Sequence, residues 1–318
     1  MSTYIIRRIL LMFPTLLGSV TLIFLLMRLL PGDAAQYILG SGESSESNQQ
    51  ALQQIRQDLG LDQPWHVQYG RWLLGAARFD FGKSYWTKQP VIEELKRRYP
   101  LTANLAVMSL LLSVCLAIPI GVISAVRQDT AVDYAARLFV IAGLSVPNFW
   151  LAILLILGLV HYFRWLPPLD YAPFWVDPWL NVKQLVFPAL VTGYRLSAIG
   201  ARMTRSSILE VLRDDYVRTA RAKGLRERVV VLKHALRNAL LPVITIIGIE
   251  LLVLFGGLVV VETVFTIPGV GRFLVDAIMH RDYPSIQALV FVFALFVVIV
   301  NLLVDIVYGV LDPRIRYA

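Results

Sequence analysis

Residues 81–84, Phe-Gly-Lys-Ser, are the first candidates for chemistry, because they resemble the end of a phosphate-binding loop. That loop requires another glycine five residues before the glycine of its Gly-Lys-Ser part. The residue at that position is Ala77, and the pattern occurs nowhere else in the chain. The sequence therefore predicts that this chain does not hydrolyse ATP itself.

Candidate metal ligands and nucleophiles are also few in this sequence. The single cysteine, Cys115, lies in an apolar run, where a lone thiol usually behaves as a small hydrophobic side chain. The sequence contains no paired-carboxylate motif and no metalloprotease or Ser-His-Asp signature. Four histidines are scattered along the chain without the spacing of metal ligands: His66, His161, His234 and His280. We predict no catalytic site and no metal site, so the chain is not expected to be an enzyme.

Two charges interrupt long apolar stretches. Arg195 and Glu250 lie near the middle of such stretches, where an ionised side chain is costly unless it is paired or faces a water-filled path. One interpretation is that they neutralise each other inside a helix bundle. In the other, they line a translocation path, and Arg195 meets a carboxylate of the substrate. Glu250 could also be the proton or ion site of an ion-coupled secondary transporter.

The composition of the chain predicts what kind of helices carry Arg195 and Glu250. The 318-residue chain is 57% hydrophobic and 16% charged, against about 25% charged residues in soluble domains, and its mean hydropathy is +0.64. These values exclude a soluble globular protein and an intrinsically disordered one. A membrane-spanning helix needs about 20 mainly apolar residues. Six stretches fit, the fourth most weakly: Ile9–Leu30, Leu101–Val126, Ala135–Val160, Val182–Arg202, Asn238–Val261 and Ile286–Val310.

The distribution of Lys and Arg predicts the orientation. The net charge of +8 is more typical of cytoplasmic loops than of nucleic-acid binding in so apolar a chain. With both termini in the cytoplasm, the inside segments carry sixteen basic residues and the two short outside loops carry four. The first span is longer than the roughly 7–15 apolar residues of a cleaved signal peptide. We therefore expect a signal anchor.

An extracytoplasmic segment is expected before residue 100. It is rich in aromatic residues, a composition typical of the membrane–water interface, although a ligand-binding role for them stays open. They are Trp65, Tyr69, Trp72, Phe79, Phe81, Tyr85 and Trp86.

A basic inside loop, 202–237, is the most informative part of the chain. Within it, a short helix with small residues at Ala220 and Ala222 is predicted to end at Gly224, because glycine suits the left-handed conformation at a helix end. A second amphipathic helix follows up to Pro242. Such an element could contact anionic lipids or dock a cytoplasmic partner, and charge alone does not decide between the two.

The loop resembles the cytoplasmic "EAA" loop of ABC importer permeases, in the branch that handles dipeptides, oligopeptides, glutathione and nickel. Further blocks in the same order extend the resemblance over nearly the whole chain. The matching segments are 30–33 (LPGD), 59–64 (LGLDQP), 215–224 (DYVRTARAKG), 233–242 (KHALRNALLP), 261–265 (VETVF), 268–272 (PGVGR), 281–284 (RDYP) and 312–317 (DPRIRY). Arg218 and Thr219 stand where the general signature has Glu and Ala, and the closing Leu-Pro comes five residues late.

The resemblance implies an all-α, multi-pass inner-membrane protein with six spans and the type I ABC importer permease fold. It implies a signal anchor and extracytoplasmic segment over 1–100, a transmembrane core over 101–311 and a cytoplasmic tail over 312–318. Loop 210–237 would dock on an ATPase subunit. The residues expected to couple to it are Asp215, Tyr216, Arg218, Thr219, Ala220, Arg221, Ala222, Lys223 and Gly224.

The implied partners are a second, homologous permease, two ATPase subunits that hold ATP and Mg²⁺, an extracytoplasmic solute-binding protein and membrane lipid. No cofactor is expected on this chain. Peptides are the commonest implied cargo. Inverted repeats and interrupted helices would favour the alternative, an ion-coupled secondary transporter that uses Glu250. The sequence shows no convincing internal repeat.

Overall fold

The computed structural model describes residues 2–29, 53, 56, 57, 60, 62–168 and 170–311. The predictions made for the tail 312–318 and for the motif at 30–33 lie outside these residues. The chain divides into two compact units. Unit 1 comprises Met1–Pro100 and Pro268–Leu302, and unit 2 comprises Leu101–Ile267 and Leu303–Ala318.

The described residues form helices, with one isolated bridge between Lys83 and Pro90. In chain order the helices are α1 (Ser2–Leu29), α2 (Trp65–Ala77), α3 (Val91–Val126), α4 (Ala131–Ser145), α5 (Asn148–Phe163), α6 (Pro178–Val211), α7 (Asp215–Ala222), α8 (Glu227–Val229), α9 (Leu236–Val264), α10 (Val270–Met279) and α11 (Tyr283–Leu311). A π-helical segment, Val230–Ala235, joins α8 to α9.

Four helical stretches are long and apolar enough to cross a membrane: Leu10–Leu29, Val91–Val126, Glu227–Leu254 and Tyr283–Val304. Together α4 and α5 meet the same test, but they are bent by 107° at the break between them. The described residues therefore contain four candidate spans, or five if the bent pair is one span. The weak fourth predicted span falls on α6, and the total of six spans stays a prediction.

The third predicted span is not one helix. It was expected to run over 135–160, whereas α4 ends at Ser145 and α5 begins at Asn148. Val146 has extended backbone angles, φ −86° and ψ 123°, and the next residue is Pro147. Proline disfavours the helical conformation for the residue before it. The break therefore follows from a local steric rule that an apolar run alone does not reveal.

Helix α6 is the most deeply packed helix of unit 2, with sixteen buried residues between Asn181 and Ile208. Its glycines let α3 approach closely. A Cβ added at Gly193 would lie 2.8 Å from the Ser109 carbonyl oxygen, and one at Gly200 would lie 2.8 Å from the Ala117 Cβ. Small residues at helix contacts are the usual way in which membrane helices come together.

Polar side chains tie the same helices together. The Asn104 amide of α3 donates to the Asn181 Oδ1 of α6 at 2.8 Å. Asn181 in turn donates to the Ala172 carbonyl oxygen at 2.8 Å. Glu262, at the end of α9, is fully buried and accepts a hydrogen bond from the Thr102 hydroxyl at 2.6 Å.

Unit 1 has its own core around Phe273 and Leu289, both fully buried. The Gly-Lys-Ser segment lies beside this core as a turn: Gly82 has φ +75°, and the next helix begins only at Val91. Ser84 donates its hydroxyl hydrogen to the Asp282 carboxylate. The segment therefore makes an internal hydrogen bond instead of opening a helix as a phosphate loop does.

The aromatic residues of the extracytoplasmic segment divide into two groups. Trp72, Tyr85 and Phe81 pack in the core of unit 1, whereas Trp65, Phe79 and Trp86 are exposed. Burial raises the pKa of Tyr85 to about 12, so its phenol remains neutral at physiological pH. An interfacial role for the three exposed residues stays a prediction.

Replacing Gly193 by leucine should destabilise the protein by about 1–3 kcal/mol, because the side chain would overpack the contact between α3 and α6. The melting temperature of the detergent-purified protein would measure this. Gly158→Leu is the matched control, since a Cβ at Gly158 meets no atom within 4 Å. Equal melting temperatures for the two variants would contradict the close helix contact.

Candidate coupling loop and membrane-embedded charges

Helix α7 forms the first half of the basic loop. Asp215 lies in its first turn and Arg221 in its last, so both charges oppose the partial charges at the helix ends. The Thr219 hydroxyl donates to the Asp215 carbonyl oxygen at 2.9 Å. The helix has eight residues, Asp215–Ala222, and local charge and hydrogen bonding favour it at both ends.

The end of α7 is a Schellman motif, as the glycine predicted. Gly224 has φ +75°, a conformation that costs other residues about 1–2 kcal/mol. The Leu225 N–H donates to the Ala220 carbonyl oxygen at 3.4 Å, and the Gly224 N–H donates to the Arg221 carbonyl oxygen at 2.9 Å. This pair of bonds defines the motif and turns the chain sharply towards α8.

An ion pair closes the turn after Gly224. Arg221 donates from Nη2 to the Glu227 Oε1 at 2.7 Å and from Nε to the Oε2 at 3.1 Å. A bidentate pair has fixed geometry as well as energy. The hydrogen bonds to Glu227 raise the pKa of Arg221 above its ordinary value. Arg221 therefore holds the two halves of the loop together.

One face of α7 packs against its own chain. Val217 is fully buried and Ala220 is 7% exposed, and both pack with Val230, Val211 and Leu212. Ala220 therefore contacts its own chain. The remaining predicted coupling residues are exposed: Asp215, Tyr216, Arg218, Thr219, Arg221, Ala222, Lys223 and Gly224.

The second half of the loop differs from the separate amphipathic helix that we expected. It runs from α8 through the π-helical segment into α9 without a break. Tyr216 connects α7 to this run, since the Asn238 amide donates to its hydroxyl at 2.8 Å. Ala235 and Ala239 pack with Ala125 of α3 and Ile208 of α6. The loop is thus anchored to three long helices.

A buried ionic cluster lies at the same end of unit 2 as the loop, and the sequence did not predict it. The Asp133 carboxylate is fully buried. It accepts two hydrogen bonds from Arg205, both at 2.9 Å, and others from Arg137 and Ser124. Charged residues four positions apart on a helix, as Asp133 and Arg137 are, were the available signal. The partner from α6 had no sequence signal.

Arg195 and Glu250, the two charges predicted to lie at membrane depth, are on neighbouring helices. Arg195 is an exposed residue of α6 and Glu250 is a half-buried residue of α9, and α6 and α9 pack against each other. The two charges interact electrostatically, but within the described part of the chain neither forms an ion pair within 4.0 Å.

The described residues contain no group of three His, Cys, Asp or Glu side chains that could hold a metal ion. The organised polar features of the described residues are instead an exposed helix fixed to long helices, the buried Asp133 cluster and the two charges on α6 and α9. Helices long and apolar enough to span a bilayer, joined by such a loop, are the architecture of a transport permease.

Comparison with known proteins gives the family. Residues 117–317 match the model of the binding-protein-dependent transport system inner membrane component, and residues 1–106 match the model of its N-terminal part. The chain belongs to this family of ABC importer permeases and is an inner-membrane protein.

Curated relatives match over their full length. The chain is 42% identical over 317 residues to the glutathione transport system permease protein of Pectobacterium atrosepticum. It is 41% identical over 317 residues to the protein of the same name from Salmonella paratyphi A, and 37% identical over 337 residues to the dipeptide transport system permease protein of Alkalihalophilus pseudofirmus. In each case 100% of both chains is covered.

Gly224→Ala should destabilise the end of α7, since the left-handed conformation costs alanine about 1–2 kcal/mol. Hydrogen–deuterium exchange of the purified protein should show faster exchange at residues 220–230. Lys223→Ala is the control, because Lys223 has φ −76° and tolerates alanine. Unchanged exchange in Gly224→Ala would show that the turn is not held by this conformation.

Proposed function

We propose that this permease forms the translocation path of an ATP-driven peptide importer together with a second, related permease. The proposal about cargo draws on the relatives, which are named for dipeptide and glutathione transport. Both are short, amide-containing molecules with free carboxylates. A solute-binding protein would deliver the peptide from outside, and two ATPase subunits, with their own ATP and Mg²⁺, would drive the cycle.

Loop 210–237 is the proposed contact with the ATPase, and the observation that carries this proposal is how α7 is mounted. The helix buries Val217 and Ala220, ends in a fixed turn, and is tied by Tyr216 to the helical run that enters α9. A rigid element transmits a rigid-body displacement, whereas a flexible loop would absorb it. Its exposed face carries Tyr216, Arg218 and Thr219.

Arg218 and Asp215, on the exposed face of α7, are not proposed as catalytic residues. Arg218 pairs weakly with Asp215, at 3.5 Å, and the two side chains are 71% and 97% exposed. Such an exposed pair contributes little to stability, so both groups are free to exchange partners on a docking surface. In our proposal they set the geometry of docking, and the chemistry of ATP hydrolysis occurs on the partner.

Arg195 and Glu250 are proposed to line the translocation path. Support comes from the exposure of Arg195 on α6 and from the lack of a direct ion pair between the two within the described residues. An arginine that is not committed to a carboxylate of its own chain can receive the carboxylate of a passing peptide. Glu250 would then balance the local charge when the path is empty.

Reversing the charge at Arg218 should weaken ATPase docking. Tagged Arg218→Glu chain, extracted gently from native membranes, is expected to retain the second permease but lose most of the ATPase chains, measured by quantitative mass spectrometry. Uptake of a labelled dipeptide should fall in parallel. The change leaves the buried face of α7 untouched, so the fold should persist.

Arg164→Glu is the matched control for this experiment, because Arg164 is an exposed arginine of the segment predicted to face outside. It should leave ATPase recovery unchanged. If the wild-type chain purifies alone and moves solute in vesicles without ATP, the importer proposal is wrong and an ion-coupled mechanism through Glu250 takes its place.

Arg195→Gln should reduce dipeptide uptake by about tenfold or more, since a hydrogen bond to a charged group is worth about 1.5–3 kcal/mol. The apparent KM should account for most of the change, and the subunits recovered with the chain should be unaltered. Exchanging the two charges, Arg195→Glu with Glu250→Arg, separates the two interpretations. Recovery of assembly lost in the single variants would show a structural pair instead of a path.

A further inference from the structure

A basic cavity lies beside the Asp133 cluster in unit 2. It has a volume of about 550 Å³ and opens between the ends of α3, α4 and α6. Three arginines contribute to its wall, together with the polar side chains of Gln128 and Ser206. The arginines are Arg137, Arg202 and Arg205.

The arginines that line the cavity outnumber the carboxylates that contact them. The Asp133 carboxylate is fully buried behind the wall and orients Arg205 and Arg137 by direct hydrogen bonds. The other nearby carboxylate, Asp129, pairs with Arg137 at 3.2 Å and is 65% exposed. The three arginines therefore exceed the two carboxylates by one positive charge, and no acidic side chain is among the described residues that line the cavity.

Arg202 carries that excess charge. It is exposed, and it has no hydrogen bond or ion pair with any residue in the described ranges. The buried Nε of Arg137 also has no acceptor there. The wall thus offers guanidinium donors whose partners the described chain does not supply, in the planar geometry that suits a phosphate group.

The rest of the cavity is apolar and continues onto an apolar surface. Ile120, Val140 and Ile141 line it. Ile141 is 58% exposed, and Leu138, one helical turn before it on α4, is 67% exposed. An anionic head and a hydrocarbon tail could therefore bind side by side, as basic pockets between membrane helices bind phospholipids.

We propose that this cavity binds the headgroup of an anionic phospholipid, with its phosphate on Arg202 and Arg137 and an acyl chain along Ile141 and Leu138. Free phosphate would use the same arginines but not the apolar surface. A zwitterionic lipid would gain less from the excess positive charge. The site is separate from α7, so the proposal does not depend on the coupling function of the loop.

The test uses the transporter extracted from its native membrane in mild detergent, with retained lipid counted by native mass spectrometry. After delipidation, the protein is offered dioleoylphosphatidylglycerol, dioleoylphosphatidylcholine or inorganic phosphate. Wild type should retain phosphatidylglycerol selectively. Arg202→Gln should retain about fivefold less, the factor that one interfacial cation contributes.

Two further variants make the result specific. Arg213→Gln removes an exposed arginine that does not line the cavity and should retain lipid as wild type does. Ala136→Phe fills the cavity while it keeps all three arginines, and it should also lose lipid. Equal retention by wild type, Arg202→Gln and Ala136→Phe would overturn the proposal. Displacement of the lipid by inorganic phosphate, or equal retention of phosphatidylcholine, would overturn the assignment to an anionic lipid.

Discussion

Hydrocarbon offers no water to the peptide backbone, and this constraint determines how the chain folds. Every backbone group at membrane depth must be satisfied within the protein, so helices are the available solution for this sequence. Hydroxyl side chains follow the same rule. Ser109, Thr192 and Thr204 donate to the carbonyl oxygen four residues earlier, at 2.8, 3.1 and 2.8 Å. The contacts between helices then depend on complementary shape, and the glycines of α6 allow α3 to pack closely against it.

A cluster of charged side chains lies at one end of unit 2. There the buried Asp133 carboxylate joins α4 to α6 through Arg205, and Ala235 of the π-helical segment and Ala239 of α9 pack with Ile208. Both arrangements stiffen the end of the bundle from which the loop emerges. This rigidity supports the coupling role that we propose for α7, because a displacement of the helix would carry the long helices with it.

Some features could be predicted because their causes are local. Gly224 predicted the end of α7, since a left-handed residue at a helix end favours glycine. The break at Pro147 was also local, but the apolar run across it masked the signal. The continuous helix after Gly224 was missed because Pro242 suggested a boundary between two helices, whereas it lies inside α9.

The sequence by itself determined the helical class, the basic loop and the turn at Gly224, because composition, charge distribution and local stereochemistry suffice for these, and its motif blocks gave the resemblance to the family. Only the tertiary structure decided that Ala220 packs inward, that Asp133 meets Arg205, and that Arg202 faces an open cavity. The partners of Ala220 lie up to ten positions away on either side of a turn, and Asp133 and Arg205 are 72 positions apart. The distances between them are set by how the helices pack. No local pattern in the chain encodes those distances.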